Sequence, residues 1–365
     1  MFQTPLFAQI LACAGFACTG LTLARPALAR LAAIAVARPA ADGPHGAAAA
    51  PRSPLVVTRG PDALAFEIPA AEVLDFDVFV ELGLLGKLGK FRVGSFELSS
   101  GVEPFQAGLP PAGIVTAALA SEPVASFAPV PRAGWMRGRA RGRYLGFVLD
   151  HTIETRVLPQ AWPRFVHRDT AAGSACRRRE LRYGDRDGVN SLWYRSDTHC
   201  KGCERREHFV DASLFSPAGH CRRCRRSAHR VWKAPRTRTI PTGAVDMLSA
   251  VFLCRAMVAE GRDELTFPLL DKDTIWELGV KRAGRQRIET SAGTFTCRAI
   301  VLSPRAAEGE PRGGKAQFKG LFGIHGTLSI WVEEASGIPV RIEGTVPVGP
   351  LDLVVSLELR STESP

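Results

Sequence analysis

Alternating apolar and polar residues recur along most of this chain, and this pattern limits the available folds more than any other feature. Leu74, Phe76 and Val78 alternate with Asp75 and Asp77. Successive side chains of a β-strand point to opposite faces, so a period of two predicts strands that bury one face. The same period returns near the C-terminus, where the apolar members are Leu351, Leu353, Val355, Leu357 and Leu359.

Further strands are predicted between these two stretches, separated by short turn signals such as Asp187-Gly188 and Ala292-Gly293. Residues 328–332 and 339–343 form a predicted hairpin joined through Ala335-Ser336-Gly337. The other predicted strands are 91–98, 143–157, 178–183, 189–195, 274–280, 285–290 and 294–303. Many strands with short turns predict a mostly β fold, either an antiparallel sandwich or a partly closed β-barrel.

One segment breaks the strand pattern. Asp246 is a suitable N-cap for a helix from Met247 to about Val258, with Leu248, Val251 and Phe252 on one face. The fold prediction therefore includes one short helix.

Several stretches of the second half resemble a known bacterial family. They are Val245–Ala250 followed by Arg255, Ala292–Phe295 followed by Cys297, Ile330–Val332, Gly337–Ile342, and Val348-Gly349. In these stretches the chain resembles domain of unknown function 3108, mostly over residues 240–361 and more weakly over 70–198. The resemblance implies an exported, mostly antiparallel β protein, similar in shape to periplasmic lipoprotein carriers. It implies no activity.

The N-terminus reads as a targeting segment. Residues 5–24 are apolar and uncharged, and Ala27-Leu28-Ala29 supplies the small residues that signal peptidase requires. Residues 1–41 are predicted to be a signal peptide or a membrane anchor, and 42–68 a flexible linker rich in Ala, Pro and Gly. The β domain is predicted over 69–361. Its predicted location is the periplasm or outer cell envelope.

Residues 199–239 look inserted into the β domain and carry a duplicated motif. The motif is H-C-x2-C-x4-H, and its cysteines are Cys200, Cys203, Cys221 and Cys224. Two C-x2-C pairs can close a tetrahedral shell of four thiolates, as in zinc ribbons. The flanking histidines are candidate alternative ligands or supporting groups, namely His199, His208, His220 and His229.

Two other states are open to these cysteines. In an oxidising compartment they can form disulfides between the two C-x2-C pairs, since a disulfide within one pair is usually redox-active rather than structural, or they can stay as free thiols. Thiolates with imidazole nearby favour Zn²⁺ among the metals. The scattered cysteines Cys176, Cys254 and Cys297 are predicted to be buried and inert.

The net charge of +11 is concentrated in two segments. Residues 1–41 carry three arginines and no acid, whereas 199–239 carry eleven Lys and Arg against three acids, so the main body is neutral. An anionic partner surface is therefore predicted at Arg222, Arg223, Arg225, Arg226 and Arg230. Export would make nucleic acid an unsuitable partner and would favour lipid headgroups or another envelope component. A merely solvated basic face is the alternative.

The sequence contains no recognisable catalytic constellation. Residues 309–316 fit a phosphate-binding loop except that Ala316 replaces the Ser or Thr that would ligate magnesium. Three functions remain: a carrier with an apolar cavity lined by Leu353, Val355, Leu357 and Ile330; an envelope assembly protein that binds through the basic module; and a hydrolase or redox enzyme whose residues meet only in the folded chain. The carrier is preferred.

The metal hypothesis predicts about one zinc ion per chain in protein purified from its native compartment, because four thiolates complete one tetrahedral shell. Elemental analysis with thiol counting measures it, and the Cys200→Ser/Cys203→Ser variant should lose the ion. Metal-free protein with oxidised module thiols would instead identify a disulfide staple.

Overall fold

The computed structural model describes the chain in separate stretches, all of them in the compact unit that spans Ala50–Pro365. The described residues are 53–58, 64–82, 90–105, 131–144, 147–158, 164–172, 177–186, 188–199, 209–210, 220–221, 230–310, 318, 320, 324–348 and 351–363. The predicted signal segment lies outside them.

These residues form nineteen strands and one helix, α1 (Met247–Ala259). In chain order the strands are β1 (Leu55–Val57), β2 (Phe66–Ile68), β3 (Ala71–Leu82), β4 (Lys90–Pro104), β5 (Arg132–Tyr144), β6 (Phe147–Val157), β7 (Phe165–Ala171), β8 (Arg177–Arg186), β9 (Val189–His199), β10 (Phe209–Val210), β11 (His220–Cys221), β12 (Arg230–Trp232), β13 (Arg236–Thr239), β14 (Glu264–Asp271), β15 (Thr274–Thr290), β16 (Gly293–Ala306), β17 (His325–Glu333), β18 (Pro339–Val348) and β19 (Leu351–Glu363).

Fifteen of the strands form one antiparallel sheet. Its order is β12-β9-β8-β7-β6-β5-β4-β3-β19-β18-β17-β16-β15-β14, and β13 also pairs with β9. Nearly every neighbour in the sheet is also a neighbour in sequence, as short hairpin turns require. The exceptions are the pairings of β9 with β12 and β13, across the 200–229 segment, and the pairing of β3 with β19, which joins the first and second halves of the domain.

The predicted strand faces are confirmed. Leu74 and Phe76 on β3 are fully buried, as are Ile330 on β17 and Ile342 on β18. The predicted hairpin pairs Ile330 directly with Ile342. The buried faces of both halves contribute to one hydrophobic core, so the period of two is explained by a sheet with one face turned inward.

Helix α1 lies against the inward face of the sheet and matches its prediction closely. Asp246 caps it by accepting hydrogen bonds from the backbone N–H groups of Leu248 and Ser249, at 2.9 and 3.1 Å. The ring of Phe252 packs 6.4 Å from that of Phe66 on β2. In the described residues no helix has the length and hydropathy needed to cross a membrane.

The sheet is curled but not closed by a strand ladder. The connection between β13 and α1 spans the gap between β9 and β14. Its Ile240 N–H donates to the carbonyl of Asn190 at 3.0 Å, and its Val245 forms a parallel bridge with Leu269. Arg236 crosses the same gap to Asp273, with Nη1 and Oδ2 2.6 Å apart. The fold is thus the predicted mostly β, partly closed barrel with one helix.

Part of the predicted linker is folded. Residues 42–68 were assigned to a flexible linker, but β1 and β2 lie within this range and pair antiparallel, with Leu55 opposite Ile68. Val57, Phe66 and Ile68 are buried in the core. These strands are three residues long, too short for alternation to distinguish them from the surrounding Pro- and Gly-rich sequence.

The helix packing predicts a large effect of Phe252→Ala. Phe252 is 1% exposed, so its removal should lower the free energy of unfolding by about 3–5 kcal/mol. Phe91→Ala is the matched control because Phe91 on β4 is 44% exposed, and its change should stay within about 0.5 kcal/mol. Urea titration measures both. If Phe252→Ala and Phe91→Ala lowered the free energy of unfolding equally, α1 would not be part of the core.

Candidate ligand-binding cavity

A cavity of about 400 Å³ lies inside the curled sheet, beside the N-terminal end of α1. Residues from β3 to β8, β14, β18 and β19 line it together with Met247 of α1. Strands that stand far apart in the sheet order therefore face one another across this space. Its volume falls within the usual range of about 300–1,000 Å³ for small-molecule sites.

One wall of the cavity is apolar. Its principal side chains are Val78, Val80, Phe96, Leu353, Val355 and Leu357, from β3, β4 and β19. The sequence predicted a cavity lined by Leu353, Val355 and Leu357, and the structure places all three there. Ile330, predicted with them, lies instead beside a separate gap of about 20 Å³ next to Ile342.

The opposite wall is polar, and the sequence prediction missed it. Its side chains on the inward faces of β6, β7 and β8 are those of His151, His167, Asp169, Arg177 and Arg179. Strand pairing places Asp169 opposite Arg179, and His151 and Arg177 both opposite Ala171. The outward positions of these strands are also charged, so no contrast between the faces was visible in the sequence.

Asp169 is the centre of the polar wall. Its Oδ1 accepts a hydrogen bond from Nε2 of His151 at 2.6 Å. Its Oδ2 lies 3.2 Å from Nη1 of Arg179 and 3.5 Å from Nη2 of Arg177. Burial alone would raise the pKa of this carboxyl, but the hydrogen bond from His151 and the arginine charges hold the pKa of Asp169 well below its usual range.

Asp246 forms a second buried cluster beside the cavity. Thr155 Oγ1 donates to its Oδ1 at 2.9 Å, Ser249 Oγ donates to Oδ2 at 3.0 Å, and the Tyr183 hydroxyl donates to Oδ2 as well. Burial opposes a charged imidazole at His167, but the carboxylate of Asp246, 3.6 Å away, outweighs burial and raises the pKa of His167.

The proton arrangement in this cluster differs from that of an activated nucleophile. The single hydroxyl proton of Thr155 is directed to Asp246, so its oxygen accepts from Nδ1 of His167 at 2.8 Å. A nucleophile would donate to the histidine instead. The described lining of the cavity contains no Ser, Thr, Tyr or Cys.

The predicted metal ligands fall almost entirely outside the described residues. Cys200, Cys203, Cys224, His208 and His229 lie there, and for His199, His220 and Cys221 the structure gives strand backbone alone. Strand pairing places Cys221 opposite Phe209, and Arg230 opposite His199, so the two ends of the 200–229 segment meet. Among the described residues, no group of three or more His, Cys, Asp or Glu is arranged to hold a metal ion.

Two of the scattered cysteines are buried free thiols, as predicted. Cys254 on α1 and Cys297 on β16 are fully buried. Burial raises the pKa of each thiol to about 12, with a further contribution from Glu333 and Glu334 at Cys297. Such thiols are inert at neutral pH. Cys176 lies outside the described residues.

Arg230 was predicted to form part of a surface for an anionic partner, but its side chain is buried. Its Nε and Nη2 donate to the two carboxylate oxygens of Asp197, at 2.6 and 2.8 Å, and its side chain is only 5% exposed. This bidentate pair fixes β12 to β9. Arg222, Arg223, Arg225 and Arg226 lie outside the described residues.

Comparison with known proteins supports the family resemblance. Residues 222–357 match the family described as protein of unknown function (DUF3108). The match covers the stretches that carried the resemblance in the sequence, and it begins inside the segment interpreted as an insert. No curated protein matches the chain significantly.

Two solved structures match the chain at low similarity. One is the β-barrel-like protein of domain of unknown function DUF1849 from Brucella abortus, with 10% identity, a TM-score of 0.43, and coverage of 80% of this chain and 97% of that one. The other, from Parabacteroides distasonis, is described as a candidate lipoprotein, with 10% identity, a TM-score of 0.28, and coverage of 82% and 97%. Neither match assigns the fold, which follows from the strand pairing of this chain alone.

The raised pKa of His167 predicts a pH-dependent contribution to stability. A histidine whose pKa is higher in the folded state contributes fully below its ordinary value of 6.5, and this contribution is lost as pH rises through the folded pKa. Wild type should therefore exceed His167→Gln in free energy of unfolding most below pH 6.5, and the difference should narrow as the pH rises through the folded-state pKa of His167.

Urea titrations across this pH range measure that difference, in which the titration of all other groups largely cancels. In an Asp246→Asn background the largest contribution that raises the pKa of His167 is gone, while those of Asp169 and Asp271 remain, so the narrowing should become smaller. If the difference in free energy of unfolding between wild type and His167→Gln did not change with pH, the raised pKa of His167 would be contradicted.

Proposed function

We propose that this chain is a non-catalytic binding protein of the cell envelope that holds the acyl chain of a lipid inside its β domain. The observation that carries the proposal is the cavity of about 400 Å³ with one continuous apolar wall. Protein interiors are close-packed and rarely leave voids much larger than a water molecule. A space of this size is consistent with a binding site rather than with a packing defect.

The shape of the wall favours an acyl chain over a compact apolar molecule. Leu353, Val355 and Leu357 stand at every second position of β19, and Val78 and Val80 do the same on the neighbouring β3. Alternate residues on a strand repeat every 6–7 Å or so. The two strands therefore present parallel rows of aliphatic side chains, a surface along which an extended hydrocarbon chain can lie.

The hydrolase alternative is less well supported by the same site. His151 and His167 do meet carboxylates, as that alternative requires, but the hydroxyl nearest to His167 is committed to Asp246. Asp169 is held by His151 and two arginines. These contacts hold the polar side chains in place and leave none of them arranged as a nucleophile with its base, so the site is better suited to binding than to hydrolysis.

Export and the zinc module belong to the same proposal. The apolar N-terminal segment would direct the β domain to the periplasm or outer envelope, where acyl lipids are abundant. The C-x2-C pairs would hold Zn²⁺ as a structural ion in a segment whose ends meet at β9 and β12.

A second candidate function is an envelope assembly surface near the insert. Trp232 at the sheet edge is 36% exposed and contacts the guanidinium groups of Arg178 and Arg195, which are 4.9 and 4.2 Å from its ring centre. Exposed Trp and Arg side chains are enriched in protein interfaces.

Neutral alcohols test the acyl-chain proposal. Octanol, decanol and dodecanol should bind with increasing affinity, by about fourfold for each added methylene group, because each buried methylene contributes about 0.8 kcal/mol. Isothermal titration calorimetry of the full chain measures the series. Affinity that does not depend on chain length would contradict binding in an apolar cavity.

A blocking substitution locates the binding. Val355→Trp would fill the cavity from β19 and should weaken decanol binding at least about tenfold, since the acyl chain and the indole cannot share the space. The matched control is Val354→Trp, on the same strand but on the opposite face. Equal binding by the two variants would place the ligand elsewhere.

A further inference from the structure

The polar wall of the cavity carries more positive than negative charge. Five cationic side chains line the cavity, namely Arg141, Arg143, Arg177, Arg179 and Lys272, against the carboxylates Asp150, Asp169 and Asp271. Lys272 is paired with Asp271, with Nζ and Oδ2 3.2 Å apart. The excess is therefore concentrated on arginines, two of which share the inward face of β8.

Arg177 and Arg179 compete for a single carboxylate. Both guanidinium groups approach the same atom, Oδ2 of Asp169, at 3.5 and 3.2 Å. The other oxygen, Oδ1, accepts from His151 at 2.6 Å. Because the Nε2 proton of His151 is directed to Asp169, this nitrogen cannot also accept from Arg177, whose Nη2 lies 3.4 Å from it.

The arginine donors thus exceed the acceptors that the described residues provide. A guanidinium has five N–H donors, and Nε of Arg177 is buried without a hydrogen-bond partner in the described part of the chain. A buried donor left unpaired is destabilising. The two guanidinium charges also share one carboxylate, that of Asp169, and an anion placed between the arginines would pair with both.

We propose that Arg177 and Arg179 bind the anionic head of an acyl ligand, a carboxylate or phosphate whose hydrocarbon chain lies along the apolar wall. This inference rests on the proposed acyl-chain function and adds the charge of the ligand. Arginine suits the role because its planar fork donates two parallel hydrogen bonds to a carboxylate or phosphate. The cavity then matches an amphiphile at both ends: aliphatic rows on β3 and β19, and guanidinium groups on β8.

Ligands of equal chain length test the charge separately from the chain. In calorimetric titrations of the full-length protein, decanoate should bind at least about tenfold more tightly than decanol, as expected for hydrogen bonds to a charged group. Decyltrimethylammonium should bind more weakly than decanol. The Arg177→Gln/Arg179→Gln variant should bind decanoate no better than decanol.

Arg182→Gln is the control variant, because Arg182 lies on the same strand but pairs with Glu180 on the outer face, with Nε and Oε1 2.8 Å apart. It should keep the preference for decanoate. If the double variant fails to fold, the order of the three amphiphiles on wild-type protein decides the question. Acetate and inorganic phosphate alone test whether a free anion suffices, and they should bind far more weakly than decanoate.

The outcomes separate the two proposals. Equal affinity for decanoate and decanol in wild type would overturn the anionic-head inference while leaving the acyl-chain function intact. Acetate or phosphate binding as tight as decanoate would also overturn it, since the chain would contribute nothing. Binding of neither decanol nor decanoate would instead refute the proposed function itself.

Discussion

The buried carboxylate of Asp246 is the interaction on which the interior of this protein depends. It accepts hydrogen bonds from the first turn of α1 and from Thr155 and Tyr183, on β6 and β8. A buried carboxylate is tolerated only when its oxygens are satisfied in this way. The same contacts that satisfy the charge hold the helix N-terminus against one side of the curled sheet.

The position of the helix determines where space remains. Leu248, Val251 and Phe252 fill the core on one side, whereas Met247 at the first turn forms part of the cavity lining. The sheet curls around the helix, so its first and second halves face each other. Beyond the N-terminal end of the helix, the space between them is the cavity. β3 and β19 bring aliphatic rows to this space, and β6 to β8 bring charged side chains. A core selected for stability alone would have apolar residues on both sides.

Much of the fold was predictable from local patterns. The N-cap and apolar face of α1, the burial of Leu74 and Phe76, and the closing hairpin at Ile330 and Ile342 all follow from periodicity and turn chemistry. The apolar cavity wall was also predicted in part. These features were accessible because each depends on residues close together in sequence.

The polar wall was not predictable in the same way. On β8, Arg177 and Arg179 point inward while Arg178 and Arg182 point outward, so the strand shows no alternation of apolar and charged residues. The cluster of His151, Asp169 and Arg179 exists because β6, β7 and β8 pair in one particular register. A single sequence does not reveal that register. Alternating Phe165, His167, Asp169 and Ala171 on β7 was the one local hint of a mixed inward face.

A crystal structure with 12-bromododecanoate would test the central claim most directly. Anomalous scattering locates the bromine at the end of the chain, and difference density locates the carboxylate. The account predicts bromine between the aliphatic rows of β3 and β19, with the carboxylate within hydrogen-bond distance of Arg177 and Arg179. Bromine on the outer surface, with an empty cavity at saturating ligand, would contradict it.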